Sequence, residues 1–260
     1  MEGVMLEVLN QVKTIAVEAG RFFKEHRDFQ TNEKDGASNI VTSTDVKTQE
    51  FVIERLRAIM PDAKIIAEEN DVKDYDDGYV WVIDPIDGTT NFFYDIKMSC
   101  VSIALLYKQK SILGVVYNPY LNELFYATEG EGSFLNGEPI HVSTADEAHS
   151  LFAVGTAPYS KERLIDYTFD TFRKLLLTGR DIRRCGSAVL DLCYVACGRF
   201  DGFFEASLSA WDFSAGRIII EEAGGLIEPI APETWSYEKP IGMIAGNASN
   251  FTFLKEATKR

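Results

Sequence analysis

Residues 79–83, Tyr-Val-Trp-Val-Ile, are a β-branched and aromatic run with the character of a strand. The run ends in Asp84-Pro85-Ile86-Asp87-Gly88-Thr89-Thr90. Two carboxylates three residues apart, where a strand breaks into a turn, can both reach one point in space. Unscreened, they repel each other and any anion. Hard divalent cations take oxygen ligands of this kind. Gly88, Thr89 and Thr90 then open what reads as a short helix, whose free N–H groups suit a phosphate. A capping turn would explain Asp87 but not a second Asp on the apolar strand end.

A competing motif, Asp-x-Asp-Gly-Thr, serves phosphatases that form a phospho-aspartate and sets its carboxylates two apart. Here Pro85 and Ile86 intervene, a spacing that suits a metal cluster better than a nucleophile and its acid. Charge points the same way. Forty acidic residues against 26 basic ones give a formal net charge of −14. Such a chain should repel nucleic acid and anionic lipid, which are bound through clustered Lys and Arg. No nucleic-acid or membrane partner is expected, and a phosphate ligand would need bound metal.

Two further acidic elements stand at element boundaries. Glu68-Glu69 follows the apolar Ile65-Ile66-Ala67, and Asp212 lies in Trp211-Asp212-Phe213-Ser214-Ala215-Gly216. Asp212 could serve simply as a helix-start acid. Its Trp neighbour and apolar helix argue that it is buried, where an acid needs a partner.

The rest of the 260-residue chain is ordinary for a globular protein, with a hydrophobic fraction of 46% and no repeat. The start is broken by Glu7 and Lys13, and no apolar run reaches the ~18 residues of a membrane span. Cys100, Cys185, Cys193 and Cys197 form no CxxC pair and read as reduced, buried thiols of a cytoplasmic protein.

Val4, Val8, Val12, Ile15, Ala19 and Phe22 predict an amphipathic helix over about 4–26. Residues 32–43 read as a polar loop, and a second helix begins near a Thr44-Asp45 cap and stops at Pro61. Strands follow at 63–67, 79–83, 100–107, 112–117 and 123–127, with a tight turn at Asn136-Gly137. From about 150, strands at 151–155, 201–205, 226–230 and 241–245 alternate with helices at 161–177, 187–197, 212–223 and 249–258. With no linker evident, the expectation is one unit over 1–260. Its first part, about 1–145, is α+β with an antiparallel sheet, and its second, about 146–260, is α/β.

The acidic elements together resemble the inositol monophosphatase family, part of the lithium-sensitive, magnesium-dependent phosphatase group that includes fructose-1,6-bisphosphatases. Trp81-Val-Ile-Asp84-Pro-Ile-Asp87-Gly-Thr-Thr-Asn91-Phe92 matches one family signature. Trp211-Asp212-Phe-Ser-Ala-Gly216 with Glu222-Ala-Gly-Gly225 matches the other. The resemblance covers nearly the whole chain. It implies a layered α-β-α-β-α sandwich of the sugar phosphatase type, two to three Mg²⁺ per site, a homodimer and sensitivity to Li⁺.

Residue by residue, the resemblance implies that Glu68, Asp84 and the Ile86 carbonyl hold one Mg²⁺, and that Asp84, Asp87 and Asp212 hold a second. A third, weaker ion would contact Glu68. Thr89 and Asp45 are implied to orient the attacking water. Asp87, Gly88, Thr89, Thr90, Gly186, Ser187, Ala188 and Glu205 are implied to contact substrate, and Lys34 matches a basic residue of a loop near the metals. Arg183-Arg184 could hold a second phosphate or form a surface ion pair. Asn70 stands where Ser is usual, and the connection from Glu68 to Asp84 is short. The substrate is therefore expected to be an inositol phosphate or a similar polyol phosphate. Fructose 1,6-bisphosphate or the 2′-phosphate of NADP are alternatives. A silent polyol-phosphate sensor is a rival of another class.

Overall fold

The computed structural model describes residues 2–26, 31–33, 40–69, 72–74 and 77–259. Five layers stack in the order helix, sheet, helix, sheet, helix. The outermost holds α1 (Glu2–Glu25) and α2 (Ser43–Ile59), which pack on each other. The helical stripe of α1 buries Val8, Val12, Ile15, Ala19 and Phe23, while Val4 lies outside it and is exposed. Thr42, rather than the expected Thr44-Asp45, caps α2. Its hydroxyl and N–H both bond the carboxylate of Asp45, which sits at the third helical position, in a capping box. The arms of the expected polar loop pair as a short hairpin, β1 (Thr31–Glu33) with β2 (Ile40–Thr42).

The second layer is an eight-stranded sheet. Its strands are β3 (Lys64–Ala67), β4 (Val72–Asp74), β5 (Tyr79–Asp87), β6 (Cys100–Tyr107), β7 (Lys110–Asn118), β8 (Glu123–Thr128), β9 (Ser133–Leu135) and β10 (Glu138–Pro139). They lie in the order β10-β9-β8-β7-β6-β5-β3-β4, antiparallel except where β3 runs parallel to β5. The Asn136-Gly137 turn joins β9 to β10, with both residues at positive φ. A short helix, α3 (Thr89–Phe93), follows β5.

The second sheet contains β11 (Leu151–Val154), β12 (Asp181–Arg183), β13 (Gly202–Leu208), β14 (Leu226–Pro229) and β15 (Ile241–Gly246), in the order β12-β11-β13-β15-β14. Strand β12 has no counterpart in the sequence reading, because three residues give no period to detect. Its outer face carries α4 (Lys161–Thr178) and α7 (Ala248–Ala257), which with Phe152, Phe204 and Ile244 close a third cluster. Between the sheets lie α5 (Ala188–Ala196) and α6 (Ala210–Glu222). Both sheets pack on them, and Val189, Leu192, Phe213 and Ile219 join Val82, Ala104, Phe203 and Met243 in one core. The start of α5, the start of α6 and the end of β5 converge at one rim of this middle layer.

Candidate active site

A side-chain period of two should send Asp84 and Asp87 to opposite faces of β5. The ladder with β6 prevents this. Asp84 pairs with Ser102 and Asp87 with Cys100, so two residues on β5 face one on β6. This bulge sits at Pro85, which has no N–H to offer the ladder, and it turns both carboxylates to one side. The Ile86 N–H donates to Asp84 Oδ1 at 3.0 Å and steadies the turn. Gly88 follows at φ +82, and a Cβ there would stand 2.8 Å from the Met98 carbonyl oxygen.

Asp212 joins these two from the first turn of α6. Each of Asp84, Asp87 and Asp212 brings a carboxylate oxygen within 4.8 Å of the others. Asp84 and Asp87 are buried and Asp212 is half-buried. The helix-start role is also real, since the Ser209 N–H donates to Asp212 Oδ2 at 2.7 Å. Glu68, at the end of β3, completes the acidic wall through a hydrogen bond with Asp84. Asp87 is held by three neighbours: the Ser187 hydroxyl, the Val189 N–H at 3.0 Å and the Cys100 thiol at 3.8 Å. Cys100 thus abuts the acidic cluster, contrary to the apolar setting expected for it.

Burial, then the charges of Glu68, Asp87 and Asp212, hold Asp84 well above the usual carboxylate range. Burial likewise raises Asp87 to about 6, against the hydrogen bonds from Ser187 and Val189, and raises Asp212, which Asp87 pushes further. Such mutual elevation marks carboxylates gathered without compensating charge. All the donors are hard oxygens. The residues fit a hard divalent cation.

The cluster forms one wall of a cavity of about 570 Å³. Gly88, Thr89, Thr90, Gly186, Ser187, Ala188 and Glu205 line it, as does the Ile86 turn. Behind it, Thr89 Oγ1 lies 3.1 Å from Asp45 Oδ1 and 3.0 Å from the Ile86 carbonyl oxygen. Burial lifts Asp45 to about 7, in spite of the hydrogen bond from Thr42. Glu205 on β13, also in the lining, is buried and accepts the Ala157 N–H at 2.9 Å. Burial raises it to about 7 as well.

The two arginines part company. Arg184 lines the cavity and donates to Thr156 Oγ1 at 3.1 Å. Arg183 instead points to the exterior, pairs with Asp181 at 2.5 Å and does not line the cavity, so it is removed from the site. Lys34 and Asn70 lie outside the described residues. Sequence reasoning missed Gly155, Tyr159 and Asp191, which also line the cavity. Asp191 could have been found as the lone acid in the apolar run Ala188–Ala196. Nothing local marks Gly155 or Tyr159.

The family model described as the inositol monophosphatase family matches residues 5–259. An inositol-1-monophosphatase of Synechocystis sp. is 42% identical over 200 residues, covering 76% of this chain and 69% of that one. A Nus factor SuhB of Pasteurella multocida is 39% identical over 228 residues, covering 84% and 85%. The solved Thermotoga maritima IMPase superposes with a TM-score of 0.87 at 31% identity, over 97% and 96% of the two chains. A layered sandwich with an oxygen-rich cavity between its sheets, together with these likenesses, defines a phosphoric monoester hydrolase. The chain belongs to the inositol monophosphatase family.

Proposed function

We propose that this enzyme hydrolyses inositol monophosphate or a closely related polyol phosphate with Mg²⁺. The observation that carries the reading is the Asp84-Asp87-Asp212 trio lining one cavity together with Glu205. The lining residues include six carboxyls (Glu68, Asp84, Asp87, Asp191, Glu205, Asp212) and one guanidinium, Arg184. Bare, such a cavity repels a phosphate.

Glu68, Asp84, the Ile86 carbonyl, Asp87 and Asp212 would hold two to three Mg²⁺. When bound, the ions supply charge that draws in phosphate, activates water and stabilises the leaving oxygen, with Li⁺ competing for the same oxygens. Thr89 Oγ1 accepts a proton from the attacking water and hands its own to Asp45 Oδ1. A carboxylate near 7 is matched to that exchange at neutral pH. Gly88, Thr89 and Thr90 cradle the phosphate, with the Gly186-Ser187-Ala188 turn on the other side. Glu205 accepts hydrogen bonds from hydroxyls of the leaving alcohol.

Arg184 favours a second reading, in which a second anionic group reaches the rim, as in fructose 1,6-bisphosphate or NADP. Rates with Mg²⁺ on inositol 1-phosphate, fructose 1,6-bisphosphate and NADP, side by side, separate the two. The first reading expects inositol 1-phosphate to lead in kcat/KM. A lead for either of the others overturns it.

A homodimer belongs to the same reading. On α4, Ile165, Phe169, Leu176 and Leu177 are exposed, and the first three recur at helical spacing to form an apolar stripe. A cytoplasmic setting is supported by four cysteines that stand as free thiols. No described helix is long and apolar enough to cross a membrane.

A further inference from the structure

Asp191 is an acid that neither the metal cluster nor the Thr89-Asp45 pair employs. It is the one acid on α5 and is flanked by Leu190 and Leu192, both fully buried. It is 2% exposed, yet it lines the cavity. Its Oδ1 has no hydrogen-bond partner among the described residues. A buried oxygen without a partner is costly, on the order of 1–3 kcal/mol, so its retention calls for an occupant. The carboxyl also takes a hydrogen bond from the Cys185 thiol.

Its surroundings define that occupant. Glu205 is near enough for its charge to raise the Asp191 pKa, and the Arg184 guanidinium opposes this. Glu205 offers one oxygen to the Ala157 N–H, while Arg184 is occupied with Thr156 at the rim. Two buried carboxyls therefore share the cavity lining, close enough to Asp87 for its charge to raise both. An anionic group would be repelled there, and an apolar one would leave both acids unsatisfied. A chain of hydroxyl groups satisfies them.

We propose that Asp191 and Glu205 together form the subsite that reads the ring hydroxyls of the substrate, Asp191 taking a hydroxyl beyond the one that Glu205 takes. Asp191 is thus a specificity-determining residue for a cyclic polyol, and a short polyol phosphate does not reach it. The inference rests on the polyol reading given above.

The test compares inositol 1-phosphate with glycerol 2-phosphate, at saturating Mg²⁺, for the wild type, Asp191→Leu and Asp191→Asn. Leucine keeps the branched shape and suits the apolar neighbours, whereas asparagine keeps the size and an acceptor. Asp191→Leu should lower kcat/KM on inositol 1-phosphate by about tenfold, mainly through KM, and weaken inhibition by free inositol to match. Turnover of glycerol 2-phosphate should stay within about twofold, and Asp191→Asn should recover part of the loss. Equal losses on both substrates, or no loss on either, overturn the subsite, as does failure of both variants to fold. A wild type that hydrolyses glycerol 2-phosphate but not inositol 1-phosphate overturns instead the substrate reading on which the subsite rests.

Discussion

Replacing Gly155 by alanine adds one methyl group and tests the polyol wall without touching any charge. Its backbone is not in the positive-φ region, so alanine meets no left-handed strain there. The methyl carbon would stand 1.9 Å from Glu205 Oε2 and 2.0 Å from Cδ, where ordinary contact begins near 3.4 Å. The carboxylate must retreat by roughly 1.5 Å, the difference between those separations. That movement breaks the 2.9 Å bond from the Ala157 N–H and misaligns the oxygens that face the substrate. A hydrogen bond to a charged group contributes about 1.5–3 kcal/mol, so kcat/KM on inositol 1-phosphate should fall by roughly ten- to a hundredfold. An aryl phosphate carries no hydroxyls and should react almost as before. Glu205→Gln, which removes the charge without displacing the side chain, should give the same split. Parallel losses on both substrates would assign Glu205 to the metal site or the core, and an unchanged Gly155→Ala enzyme would refute the reasoning.

Thr89→Ala and Asp45→Asn should each lower kcat by about a hundredfold or more with little change in KM, the signature of a lost proton path. A rise in KM at constant kcat would instead make them binding residues. Metal-free protein should lose stability as pH rises. Asp45 and Glu205 sit near 7 when folded, against usual values of 3.8 and 4.5, so the folded state binds more protons between about 4 and 7. Each pH unit in that window costs on the order of 1 kcal/mol per raised group. Melting in chelator should therefore fall from pH 5 to pH 7, with Mg²⁺ restoring stability at pH 7. A melting temperature that climbs over the same range contradicts these shifts. Light scattering should return twice the chain mass, and Phe169→Glu should halve it. A monomeric wild type would remove the role given to the α4 stripe.

The acidic motif was legible because it is local. Asp84-Pro-Ile-Asp87 sits in nine consecutive residues, and an apolar strand ending in acids is unusual enough to interpret without a structure. The reason for its spacing was not legible, since the bulge exists only in the ladder with β6. Adjacent Arg183 and Arg184 look equivalent in sequence, but the end of β12 directs one to Asp181 and the other to the cavity. Long periodic elements such as α1 and α4 were readable to within a few residues. The three-residue strands β1, β2 and β12 were not, since pairing rather than pattern defines them. The meeting of Glu205 and Asp191 in one cavity lining likewise depends on how α5 packs against β13.

The central claim is that the carboxylate oxygens of Asp84, Asp87 and Asp212 work by holding Mg²⁺. Protein stripped with chelator and then titrated with Mg²⁺, with hydrolysis of inositol 1-phosphate followed throughout, tests it most directly. Activity should be absent without the ion and rise with it to saturation. Asp212→Asn should lose on the order of a hundredfold at every concentration, since metal charge contributes several kcal/mol. Turnover that persists in chelator, or an Asp212→Asn enzyme as active as the wild type, would contradict the account.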